Sequence, residues 1–163
     1  MSTAKVIALL ATGLLSGAFM YGFLNVVPAF YEVPVNVHLV YRTQLMTHNG
    51  ITMQSLMALS IITPLWYARL CRRLTPVRNL AILSAALALT TLLITRFGNV
   101  PINGIIKLWP PQHPPVGWKA LLHTWDIYNA WRTFTALGCF IAFIAASHLK
   151  KEETLTGSVS SSS

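Results

Sequence analysis

The chain has 163 residues, 54% hydrophobic and only 10% charged, and is too apolar for an ordinary soluble domain. Its net charge of +8 does not point to nucleic acid, because the cations are spaced along the chain and not gathered into a patch interleaved with aromatics. The composition predicts one all-α membrane domain over residues 1–152.

Charge-free windows lie between Lys5 and Glu32, Arg42 and Arg69, Arg78 and Arg96, and Arg132 and Lys150. A membrane helix needs about 17 to 25 apolar residues, so each window holds one span. The expected spans are 6–26, 52–68, 78–96 and 132–149, forming a four-helix bundle with two long extracytosolic loops at 27–51 and 97–131. Lys5, the group Arg69, Arg72, Arg73 and Arg78, and Lys150 with Lys151 then share one side, which the positive-inside rule makes cytosolic. Both termini face the cytosol in this reading. The protein is expected to be multi-pass, in the endoplasmic reticulum of a eukaryote or the inner membrane of a bacterium. The apolar run after Lys5 outlasts a signal peptide and reads as a retained span.

In span one, Gly13 and Gly17 form a small-xxx-small pair that lets another helix approach, either within the bundle or from a second copy of the chain. The segment 27–51 reads as a loop lying on the bundle, a lid with Glu32, His38, Arg42 and His48 as its ionisable groups. Gln54 stands near the loop side of span two, placed for an interhelical hydrogen bond or a ligand, and Pro64 is expected to kink that span. Span three, rich in alanine and threonine, reads as packing. Cys71 and Cys139 fall at different membrane depths, so no disulfide is expected. No Cys/His set has metal-ligand spacing, and no phosphate loop, nucleophile elbow or dinucleotide fingerprint occurs, so neither metal nor cofactor is expected. The tail 153–163 lacks apolar periodicity and reads as disordered.

The polar residues concentrate between Arg96 and Thr133. On a helix after Pro115, Trp118, Leu122, Trp125, Asn129 and Arg132 share one face within about 80°. Tryptophan and arginine at a bilayer boundary commonly anchor a helix, but an amide such as Asn129 needs partners there. Asp126 lies about 60° from Asn129, at the edge of this face, where it is either a base or the partner of Arg132 or Lys119. His123 points away from Trp125, and His113 sits among prolines.

The order of elements resembles the DUF1772 family, the anthrone oxygenase-like membrane proteins. A glycine-rich first span leads to VVP, the third span ends in NVPIN (Asn99, Pro101, Asn103), and WDIYNAWRT (Trp125, Asn129, Arg132, Thr133) opens the fourth. The resemblance covers roughly residues 10–149. It implies an oxygenase that converts an anthrone-type aromatic polyketide to an anthraquinone with O2 and no cofactor. Under it, Trp125 and Trp118 stack on the rings, Asn99, Asn103 and Asn129 bond the oxygens, and Arg132 holds negative charge. Asp126 is the leading base, with His38 and His48 as alternatives if the first loop folds over the site. The reading that competes is a non-catalytic membrane protein whose loops bind a lipid or a partner protein; packed loops without a cavity would favour it.

Overall fold

A computed structural model describes the backbone of residues 3–160 and the side chains of residues 3–149. The expected disordered tail, 153–163, lies where no side chains are described. Helix α1 (Thr3–Tyr21) continues through a π turn (Gly22–Val26) into α2 (Val27–Tyr31). Helix α3 (Val35–Leu70) returns, and α4 (Thr75–Ile94) continues through a second π turn (Thr95–Asn99) into α5 (Val100–Ile106). Helix α6 (Trp118–Ser160) closes the bundle. The stretches Thr3–Tyr31, Val35–Leu70, Thr75–Ile106 and Trp118–Leu149 are each long and apolar enough to cross a membrane, so this is an integral, multi-pass membrane protein.

Around the bundle, α1 packs on α3 and α6, and α4 packs on the same two helices. The interior is built from small side chains such as Ala4, Ala8, Ala81, Ala85, Ala88 and Ala146, while Leu10, Leu14, Ile62, Leu89, Phe134 and Ile141 project outward. That inversion suits a bilayer, where lipid solvates large apolar groups and close helix contact supplies the packing energy. Several interior hydroxyls find partners within or between helices: Thr12 Oγ1 donates to Ala8 O (2.7 Å), Ser84 Oγ to Cys139 O (2.9 Å), and Thr91 and Thr135 bond each other (2.8 Å). Gly13 packs in this way inside the bundle, its Cβ position 3.2 Å from Phe140 Cε2, whereas Gly17 faces open space. Cys71 and Cys139 are both buried and are not joined in a disulfide.

The connections differ from the expected loops. Residues 35–51 are the first turns of α3, so the first connection shrinks to 32–34; the second shrinks to 107–117. Hydropathy marks where a helix meets lipid and not where it ends, and residues 35–50 are helical, with His38 and Arg42 buried on the inward face. Gly117, at φ 84°, takes the left-handed turn that launches α6. Helix α3 also runs on through the buried Pro64.

The two π turns end alike. Val27 N–H reaches Gly22 O and Val100 N–H reaches Thr95 O, each one residue before a proline. A proline has no N–H to give and its ring crowds the carbonyl four residues back, which the wider turn relieves. The extra residue also rotates the next helical segment by about 100°. That rotation sets the facing of Phe30 in α2 and Asn103 in α5.

Candidate functional site

Opposite the end of the bundle that carries Thr3 and the α3–α4 turn lies a cavity of about 430 Å³. The first span supplies Phe19, Gly22 and Phe30; α3 supplies Arg42, Met46, Asn49, Met53, Gln54 and Met57; the third and fourth spans supply Asn103, Trp125, Asn129 and Arg132. Its walls are largely apolar, with a few convergent polar groups, as in a site for a flat small molecule.

Trp125 is the hub. Its Nε1–H donates to Asn103 Oδ1 (2.7 Å), and its carbonyl accepts from Asn99 Nδ2 (3.1 Å). Two guanidiniums lie over its ring, Arg42 at 4.2 Å and Arg132 at 5.2 Å from the centroid. Phe19 also meets Arg132 (4.7 Å) and Phe30 meets Arg42 (5.7 Å). Such contacts offset part of the cost of holding cations away from water. Arg132 donates from Nε (3.1 Å) and Nη2 (2.8 Å) to Asn129 Oδ1, and Thr133 Oγ1 donates to the Asn129 carbonyl (2.7 Å).

Arg42 is 2% exposed and forms, with Asp126, the one salt bridge among the described residues (Nη2 to Oδ1, 3.3 Å). Tyr31 donates its hydroxyl to the other carboxylate oxygen. His38 stacks on Phe30 at 5.0 Å and meets Tyr31 edge-on. The cluster thus ties α2, α3 and α6 together at the loop end.

Of the residues singled out from the sequence, Asn103, Trp125, Asn129, Arg132 and Gln54 come together on the cavity wall. The others stand off it. Asp126 is engaged by Arg42 and Tyr31, not by Arg132 or Lys119, and its carboxylate is not on the lining. Asn99 is fully buried behind Trp125, and Trp118 packs against the apolar cluster of Leu39, Ile102, Ile106 and Leu122. His38 is buried one turn from Arg42, while His48 and His123 are exposed. The segment expected as a loop over the site is accordingly helical, the first turns of α3.

Sequence reasoning missed Arg42 and the aromatic pair Phe19 and Phe30. A signal existed: His38, Arg42, Met46, Asn49, Met53 and Met57 recur at three- and four-residue spacing, the face of one helix. Among the described residues no three His, Cys, Asp or Glu side chains cluster as a metal would require.

Neither the curated proteins nor the solved structures searched give a match. The family model for anthrone oxygenase matches residues 43–142. The matched stretch holds Asn103, Trp125, Asn129 and Arg132, and begins directly after Arg42. Since it spans more than half of the chain, the chain belongs to the anthrone oxygenase family.

Proposed function

We propose that this membrane oxygenase oxidises an anthrone-type aromatic polyketide to an anthraquinone with O2, without a cofactor. The observation that carries this reading is the cavity: flat aromatic and thioether walls, with Arg42, Asn129 and Arg132 converging on them. The loop-binding alternative called for packed side chains without a cavity.

The chemistry needs little beyond the substrate. An anthrone carries acidic benzylic hydrogens, and its anion is electron-rich enough to reduce O2 directly. The methylene carbon loses two hydrogens and gains one oxygen atom as a carbonyl, while the second oxygen atom leaves as water, so four electrons pass from carbon to O2. The protein's part is to hold the ring system, exclude bulk water and stabilise the charge on the ring oxygen. In this reading Trp125, Phe19 and Phe30 contact the rings, Asn103, Asn129 and Gln54 orient the oxygens, and Arg132 holds the negative charge. Asp126 acts as the positioning residue for Arg42, because its carboxylate is already occupied.

The test is incubation of the purified protein with an anthrone under ¹⁸O-labelled O2, against a boiled control. The reading expects one labelled atom in the new carbonyl and a rate well above the control. Equal rates in both samples would refute it. The proposed orientation, both termini cytosolic, is tested separately: a Gln112→Cys variant should react with an impermeant thiol reagent only from the side opposite the termini.

A further inference from the structure

We propose that the cavity takes its ligand as an anion, so that the substrate sheds its proton to solvent on binding and not to a base in the protein. The proposal deepens the substrate class at the oxygenase site and rests on the cavity being where the substrate sits. Two observations carry it. The first is a charge count. Two guanidiniums, Arg42 and Arg132, lie over the one Trp125 ring, and the single carboxylate beside them, Asp126, pairs with Arg42. Arg132 has only a neutral partner, the Asn129 amide oxygen. One positive charge is left over in a largely apolar cavity, where an unmatched charge is costly and an opposite one is strongly favoured.

The second is the state of the polar atoms. Arg42 is 2% exposed and Asn129 is 3% exposed, and both line the cavity. Arg42 Nε and Nη1 and Asn129 Nδ2 are buried with no hydrogen-bond partner. All three are donors. Buried donors without acceptors are expensive in a folded protein, and these belong to two residues that line the cavity. Two of the amide oxygens on the wall are already used, Asn103 Oδ1 by Trp125 and Asn129 Oδ1 by Arg132. A ligand offering a negatively polarised oxygen matches the surplus charge of Arg132.

The same wall shows why no protein base is needed. Among the described lining residues there is no carboxylate and no imidazole; the titratable side chains there are Tyr21, Arg42 and Arg132. From the surrounding elements, Asp126 and Tyr31 face Arg42 and bond each other, and His38 stacks on Phe30 off the lining; the third-span segment contributes Thr95, Val100 and Asn103, none of them ionisable. An anthrone in its enol form has an O–H acid. That bond breaks with the electron pair remaining on oxygen, the proton goes to water, and the resulting anion meets the surplus cation.

The probe is 1,8-dihydroxyanthraquinone, a flat phenol that shifts its absorption to the red on ionisation and cannot be oxidised further at its carbonyls. Titrated with the detergent-solubilised full chain, it should bind in the red-shifted form at a pH where it is neutral in protein-free micelles. Its ionisation midpoint should fall by at least about one pH unit, a tenfold preference for the anion. Arg132→Gln, checked by its melting curve, should abolish that shift; Arg132→Lys, which keeps the charge, should retain it. If Arg132→Gln does not fold, the wild-type midpoint alone decides. Binding of the neutral form, with affinity falling as the probe ionises, would overturn the proposal. So would displacement of the probe by phosphatidylglycerol but not phosphatidylcholine, which would assign the surplus cation to a lipid headgroup. Anthrone turnover is followed in the same preparation: turnover with neutral-form binding sinks only the anion claim, whereas neither turnover nor binding sinks the oxygenase site as well.

Discussion

The two ends of the bundle handle polar groups in opposite ways. At the end carrying Thr3 and the α3–α4 turn, the core is Ala4, Ala8, Tyr67, Ala68, Val77, Ala81, Phe143 and Ala146, and the polar contacts close on nearby backbone, as when Lys5 Nζ donates to Ser147 O (2.8 Å). At the loop end, Arg42, Asn129 and Asn99 are buried with donors or acceptors left over. Both ends bury side chains, so burial alone does not identify a site. What separates them is whether the polar inventory closes: where it does, the side chains hold helices together, and where it does not, they await something else.

The largest expected effect comes from removing the hub of the open end. Trp125→Ala leaves a void beside two guanidiniums and should lower stability by about 3 kcal/mol or more, with turnover falling along with it. Melting curves and anthrone oxidation read both. A stable, active Trp125→Ala would mean the hub is not structural. Asn129→Ala is the sharper cut, because its side chain bonds Arg132 and faces the cavity. It should lower turnover roughly ten- to a hundred-fold, comparable to losing one preorganised donor, while the melting temperature moves little. The opposite pattern would return Asn129 to the class of closed, structural amides.

Two glycines extend the comparison to backbone packing. A Cβ at Gly98 would lie 2.6 Å from Tyr128 Cγ, so Gly98→Ala must displace that ring and should cost about 1 to 3 kcal/mol. Gly17 meets nothing within 4 Å, and Gly17→Ala should stay within about 0.5 kcal/mol of wild type by thermal melting. A clear loss of stability at Gly17 would instead point to a second copy of the chain packed there. The smallest effect is expected at His123, which is exposed on the far side of α6; His123→Ala should keep turnover within about twofold.

Much of the frame is legible in the sequence. Charge spacing locates the four spans, and a helical wheel places Trp125, Asn129 and Arg132 on one face. The burial of Arg42 is not legible, although its helical face is. Charge-free windows treat a cation as a boundary, so Arg42 reads as part of the loop 27–51, whereas α3 carries it inside. What permits that burial is Asp126, eighty-four positions away, together with Phe30 and Trp125, and no local pattern announces a partner at that distance. Asn99 fails for the converse reason. The sequence shows an amide near a boundary, but only the packing reveals that its Nδ2 is spent on the Trp125 carbonyl, behind the wall.

The central claim, that the open end is a site and not a helix anchor, is tested most directly by Arg132→Lys. Lysine keeps the charge and can still reach the interface, but it cannot reproduce the planar fork that bonds Asn129 through two N–H groups. The measurement is steady-state anthrone oxidation by wild type and Arg132→Lys in one detergent, with melting curves alongside. The account predicts a folded variant slowed roughly ten- to a thousand-fold. A folded Arg132→Lys turning over at the wild-type rate would contradict it.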